Sequence, residues 1–391
     1  MSVIKARYKI VTPMFIAGAD QEDSAELRPP SFKGVLRFWF RATALPHFDN
    51  KVEEVASAEG QLFGRQSSGG VDAGKSRFSL KIDHKIKDNQ IVKAGERWDG
   101  YGLAYLGYGV INRKEKNTRS YIKQGNTFEV TLFLKPDVSD KEKLLLRRSL
   151  IALGLFGGLG SRSRKGFGSV NLQSITEDDR EVWVQPGTVD ELKDRIKNFV
   201  KELGFLSKDL PQYSAFSEHT NIAIFSRNAD SVKLLDEIGK EMIRYRSYGV
   251  DRGGKRILPW GETAQQNFKV DHDRIVNAIK GEKPDALPER IVFGLPQNYR
   301  FSSYHFSRGE KVAITPVNAN RRASPLFIHI HELSNCSAAV FTLLTSHFLP
   351  SGEKIKIAVS GQEDIVFDAK VNYSVILDFI RRFPSKIQVY P

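Results

Sequence analysis

The sequence predicts an α+β protein made of two tandem βαββαβ units, the ferredoxin-like (RRM-like) order, each carrying inserts. Three observations predict it. The chain has 391 residues, 40% hydrophobic and 27% charged, which suits two soluble cores rather than one. In each half, stretches that alternate with period two flank stretches with helical spacing. A glycine-rich basic turn, Gly157 to Gly168, follows the second helix of the first half.

The elements of the first half follow in order. Residues 5–11 alternate and stop at Pro13, giving a first strand. A loop of about 17 residues comes next, longer than a simple connector needs. Ser31, after Pro29 and Pro30, is the expected N-cap of a helix over 32–45. Residues 78–84 and 127–134 alternate again, with Phe78, Leu80 and Ile82 on one face and Phe128, Val130, Leu132 and Leu134 on the other strand's face. Residues 95–126, rich in Gly, Tyr, Lys and Arg, read as an insert between these strands. A helix over 140–156 is expected to be capped by Asp140 and stopped by Gly157 and Gly158. A strand over 168–175 closes the unit.

The second half reads the same way. A strand is expected at 221–225, a helix at 230–247, a helical insert at 271–281, strands at 325–332 and 338–344, a helix at 371–383 and a last strand at 386–390. Residues 1–176 and 213–391 are thus the two expected units. Residues 177–212, with turn formers and a short helix at 188–204, connect them.

Lys plus Arg number 59 and Asp plus Glu 46, a formal net charge of +13. An excess of this sign attracts polyanions. Cys336 is the one cysteine, which excludes an internal disulfide; its apolar neighbours predict a buried thiol and its isolation suits a reducing cytoplasm. Nothing resembles a signal peptide, and no apolar run reaches 18 residues, so a cytoplasmic protein is expected.

The candidate binding residues are cations. Lys33, Arg37 and Arg41 recur every four residues on one helix face with no acid among them, and Arg28 extends the row. An unpaired row suits phosphates; a solvated face is the plainer reading. In the glycine-rich turn, Gly157, Gly158, Gly160, Gly166 and Gly168 free the backbone for close approach, and Arg162, Arg164 and Lys165 add charge. A C-cap followed by a solvated turn would account for Gly157 and Gly158 but requires neither the cations nor the later glycines. A second basic segment, Arg244, Tyr245, Arg246, Tyr248, Arg252, Lys255 and Arg256, mixes cations with aromatics as single-strand binders do. Arg321 and Arg322 form a smaller patch.

Catalytic constellations are poor. The G-x-x-x-x-G-K-S spelling at Gly69–Ser76 is rejected as a phosphate loop, because a strand pattern follows where a helix is needed. His329 and His331 share a strand face and read as packing residues rather than metal ligands. His47 beside the basic helix is a weak general-base candidate. Asp20, Glu22, Asp23 and Glu26 read as a solvated acidic loop. No cofactor or metal is expected.

Three segments resemble the RAMP superfamily of CRISPR systems, and within it the first-named subunit of the type III-B Cmr effector complex. They are Thr12 to Asp20, Ala25 to Trp39, and Gly157 to Val170. Phe293-Gly294-Leu295-Pro296 and Arg321 to Leu326 fit the second domain of that family. The resemblance implies two RAMP domains and a non-catalytic subunit that contacts guide RNA, target RNA or both near the 3′ end of the guide, beside other RAMP subunits. A RAMP-type endoribonuclease and a scaffold touching only protein are the alternatives.

Overall fold

The computed structural model describes residues 2–18, 20–66, 74–112, 114–299 and 311–391. The Gly69–Ser76 spelling therefore lies mostly outside the described residues.

The first half runs β1 (Val3–Ile10), α1 (Pro29–Ala44), α2 (Val52–Phe63), β2 (Phe78–His84), α3 (Tyr101–Leu106), β3 (Thr127–Leu134), α4 (Asp140–Phe156), β4 (Val170–Glu177) and β5 (Arg180–Val184). Its antiparallel sheet has the order β2-β3-β1-β4-β5. The first four strands are the ferredoxin-like arrangement. Tyr8 of β1 faces Phe128 of β3 in register, and their rings stack at 5.4 Å under Phe32 of α1.

Helix starts differ from the expectation by small, explicable amounts. Ser31 does not cap α1. Arg28 occupies the cap position, and Pro29 and Pro30 take the first two helical places, where a missing N–H costs nothing. Asp140 is likewise inside α4, and Ser139 caps it through a capping box with Glu142. Helix α2 and edge strand β5 were not foreseen. Neither offers a strong signal: α2 has no side-chain cap, and β5 shows only Val182 and Val184 exposed around buried Trp183.

Helix α5 (Val189–Leu203), capped by Thr188, links the halves. The second half runs β6 (Asn221–Arg227), α6 (Ser231–Arg246), α7 (Lys269–Ile279), β7 (Leu326–Glu332), β8 (Ser337–Leu343), α8 (Ser374–Arg381) and β9 (Ile387–Tyr390). The sheet order β7-β8-β6-β9 repeats the ferredoxin-like arrangement. An unforeseen third sheet joins Gln297–Tyr299, Val312–Pro316, Lys354–Val359 and Ile365–Asp368, so two separate inserts build one sheet over its own apolar cluster. Its strands are short, and the pair that joins the inserts, Val312–Pro316 with Lys354–Val359, is far apart in sequence, which leaves no local signal linking them.

The halves share a core. One cluster joins Phe32, Trp39 and Phe156 to Ile222, Phe327, Val340 and Val389. Strand β7 sits at the seam, with the Phe327 ring 5.6 Å from Phe38 and 5.4 Å from Trp39. Cys336 is partly exposed rather than buried, since it follows the β7–β8 turn. Among the described residues, no helix is long and apolar enough to cross a membrane.

Candidate nucleic-acid interface

The glycine-rich turn is not an open loop. Leu159 donates its N–H to the Gly168 carbonyl, Ser161 to Phe15, and Gly168 to Pro13, which folds the turn onto the segment after β1. Thr12 Oγ1 donates to the Gly166 carbonyl at 2.6 Å and accepts from the Ser169 N–H. The Ile328 N–H of β7 donates to the Arg164 carbonyl at 3.1 Å. The turn is therefore wedged between the two halves. Gly166 and Gly168 have φ of +88° and +61°, and a Cβ on Gly168 would collide with the Leu159 carbonyl. Gly158 packs its α-carbon against the Gly168 carbonyl, and Gly160, at φ +85°, against Phe15.

This packing divides the three cations of the turn. Arg164 points inward: its Nη1 donates to the Ser324 carbonyl at 2.6 Å, and its guanidinium lies over Phe327 and Phe38. Burial, then Arg322, pulls its pKa down to about 10. Lys165 is partly exposed along its stem, but its Nζ is covered and has no partner. Burial, then Arg246, Arg162 and Arg164, pulls its pKa to about 7. Only Arg162 is exposed. It holds a left-handed φ of +63°, a strained state for a non-glycine residue and a frequent mark of functional positions.

Arg162 stands beside a cleft of about 320 Å3, lined by Phe15, Ile16, Ser31, Val35, Arg119, Gly160 and Ser161 among others. Arg119 and Tyr108 are its charged and titratable neighbours, and its guanidinium rests against Gly109. Tyr108 is 62% exposed. The N-terminal turn of α1 contributes Ser31, and no acid sits in that turn to answer its dipole. One turn on, Gly34 has open space above its α-carbon. The arrangement offers two guanidinium groups, Ser31 at the helix end and, beside them, an exposed ring: the chemistry of a phosphate with an unpaired base.

The row Lys33, Arg37 and Arg41 is not part of this cleft, and it is not unpaired. At about 100° per residue these side chains leave α1 on a different face from Ser31 and Val35, on the side that Gly34 shares. They meet α2, where Glu59 accepts from Arg37 at 3.2 Å and from Arg41 at 3.0 and 3.1 Å. Arg37 also caps the Phe63 and Gly64 carbonyls, and Lys33 lies over Phe78. The acid was invisible because it sits on an unforeseen helix. Arg28 is exposed, with Glu26 at 4.0 Å.

The second basic segment is also largely consumed. Arg244 pairs with Glu241 and Glu262, Arg256 with Asp251, and Arg246 lies over Phe293. Tyr245 is buried with its hydroxyl donating to Val375, and Tyr248 stacks on His272 at 3.8 Å. Those rings are not available to stack bases. Arg252 and Lys255 remain exposed in a hairpin of Val250–Arg252 and Lys255–Ile257. Arg321 is exposed, and Arg322 donates to Ser346 Oγ.

The histidines face inward. His329 Nδ1 donates to the Gly157 carbonyl and His331 Nε2 to that of Leu155 at 3.1 Å, so both tie β7 to the end of α4. His47 sits on a 3-10 turn against Phe48, and burial with Lys141 and Arg148 lowers its pKa. Asp20 accepts the N–H groups of Glu22 and Asp23, making a self-contained turn. No group of three or more His, Cys, Asp or Glu among the described residues is placed to hold a metal.

Tyr108 and Arg119 were not singled out from the sequence, and Ser31 was expected only as a helix cap. Tyr108 and Arg119 lie in the Gly/Tyr/Lys/Arg-rich insert, and that composition was the available signal.

Comparison with known proteins fits this architecture. The model of the RAMP superfamily matches residues 7–171, and the paired ferredoxin-like sheets with their wedged glycine turn define a RAMP protein. Cmr subunit Cmr1-2 of Pyrococcus furiosus is 30% identical over 184 residues, 43% of this chain and 93% of that protein. Cmr1-1 of the same organism is 25% identical over 235 residues, 56% of this chain; the chain spans 66% of its length, just under two thirds. The chain belongs to the Cmr1 family of type III-B CRISPR systems. The crystal structure of Cmr1 from Pyrococcus furiosus in its apo form superposes with a TM-score of 0.59 at 17% identity, covering 100% of this chain and 99% of that one. A chain of the type III-B Cmr-beta structure bound to cognate target RNA gives 0.50 at 12%, covering 98% and 99%.

Proposed function

We propose that this protein is a non-catalytic RNA-binding subunit of a type III-B Cmr effector complex. It contacts guide or target RNA near the 3′ end of the guide and sits beside other RAMP subunits. Residues 1–176 and 213–391, joined through 177–212, act as two RAMP domains of one RNA-binding body. The observation that carries the reading is Arg162: the one exposed cation of a turn otherwise buried or half-buried, held in a strained backbone state beside Arg119 and the open end of α1. The structural neighbour from type III-B Cmr-beta comes from a structure bound to cognate target RNA, which supports the class of ligand. The cleft offers hydrogen-bond donors to a phosphate, with the exposed Tyr108 ring beside Arg162, and no paired acid and base lines it, so the RNA is held and not cut.

The test is equilibrium binding of the full chain to short single-stranded RNA across a salt series. Affinity falls with salt at a slope of about −0.7 per phosphate contacted. Arg162→Ala and Arg119→Ala each weaken binding to all sequences alike, since phosphate contacts carry little sequence information. A flat salt dependence, or unchanged affinity in the double variant, overturns the reading. Cleavage of the RNA by the purified chain would revive the endoribonuclease alternative.

A further inference from the structure

We propose that the seam beside Phe293 is a second anion site, in which Lys165 and Arg246 together receive one tetrahedral phosphate group. It lies inside the contact between the glycine-rich turn and the C-terminal end of α6, and it does not depend on RNA binding at the Arg162 cleft.

Two donors from different halves of the chain meet there unused. Lys165 Nζ is covered by protein and has no acceptor; Arg246 Nε is in the same state. Both stand over one ring, Lys165 Nζ at 5.9 Å and the Arg246 guanidinium at 4.5 Å from the Phe293 centroid. Arg162 and Arg164 face Lys165 from its own turn. Leu235 of α6 and Ile328 of β7, packed against Gly166, bring only apolar atoms. None of Arg162, Arg164, Lys165 and Arg246 is paired with a carboxylate among the described residues.

Several covered cations elsewhere in the protein do have an acid, although Arg148 and Arg322 have none among the described residues. Arg37 and Arg41 share Glu59, Arg244 has Glu241 and Glu262, and Arg290 has Asp271. Four cations without an acid are a repulsive arrangement that an anion would turn into an attractive one. The depressed pKa of Lys165 expresses the same tension: its charge is costly until a counter-charge arrives. A phosphodiester of bound RNA and a free phosphate both supply that counter-charge.

Sulfate distinguishes this site, because it is tetrahedral and its charge is constant between pH 6.5 and 8.5. In the full chain, sulfate raises the thermal midpoint with a saturable curve. Half-saturation is about tenfold tighter at pH 6.5, where Lys165 is charged, than at pH 8.5. Lys165→Met and Arg246→Met remove the saturable rise. Lys165→Arg, which cannot lose its charge, keeps the rise and loses the pH dependence. Retention of the wild-type curve by both Met variants, or a merely linear salt effect in the wild type (an adventitious ion only), overturns the site. RNA then identifies the source. If sulfate competes with single-stranded RNA and Lys165→Met weakens RNA binding, the phosphate belongs to the RNA; if RNA binding is untouched while the sulfate rise is lost, a free anion is the ligand. An absent sulfate response with Arg162-dependent RNA affinity intact sinks this site alone and leaves the proposed function standing.

Discussion

Glu59 of α2 receives Arg41 Nη1 on both of its oxygens, at 3.0 and 3.1 Å, while Arg37 shares one of them. The Glu59 side chain is 11% exposed, so it is the covered member of a triad whose two cations reach the surface. Glu59→Gln leaves two guanidinium groups facing each other. The expected loss is about 2 kcal/mol, reduced from the value for a fully buried pair because the arginine side chains are 34% and 39% exposed. Urea unfolding measures it. Arg41→Ala should cost stability in the same assay and leave RNA affinity close to wild type, unlike Arg162→Ala.

Arg162→Gly separates backbone from charge. Glycine takes a φ of +63° without the Cβ penalty, so the variant gains up to about 1 kcal/mol of stability. It loses RNA affinity as Arg162→Ala does. A variant that binds normally assigns the strained arginine to folding alone.

Two glycine-to-alanine changes should have opposite signs. Gly34 lies mid-helix in α1 with nothing near its α-carbon, so Gly34→Ala stabilises by about 0.5–1 kcal/mol. Gly34 does not line the cleft, so RNA affinity stays near wild type. Gly168→Ala drives a methyl into the Leu159 carbonyl at a left-handed φ and costs about 2–4 kcal/mol. Thermal midpoints and RNA affinity of both variants check the pair.

The seam histidines predict an acid limit. Burial lowers the pKa of His331 to about 4, and burial with His331 lowers that of His329 further below its ordinary value. Both are neutral in the fold and charged when unfolded at low pH. The unfolded chain therefore binds more protons below about pH 6.5, and stability falls from there down through pH 4. For His331 the loss totals about 3 kcal/mol. His331→Gln should flatten part of this fall in a pH series of unfolding curves.

The ferredoxin-like order of both halves was legible because long alternating or helical stretches such as 127–134, 140–156 and 326–332 carry their period in the chain itself. The wedged turn was legible as unusual from its glycines. What it does with its cations was not. Whether Arg164 faces water or Ser324 is decided by a partner 160 residues away. The same holds for Lys33, Arg37 and Arg41, whose spacing is plain in sequence while Glu59 sits on a helix with a weak signal. The third sheet was hidden because its strands are brief and come from two inserts. Charge type and helix face are local properties; charge compensation is a tertiary one.

Because Trp39 and Phe156 are covered in part by Phe327 and Phe216, the halves mature together. On the ribosome, residues 1–176 are complete about 150 residues before Phe327 is made. At ordinary elongation rates that is a wait of roughly 8–30 s during which the part of this aromatic surface that Phe327 covers stays open. The nascent first half is thus an aggregation hazard in its own right, and chaperone occupancy during synthesis should concentrate between the emergence of α4 and that of β7.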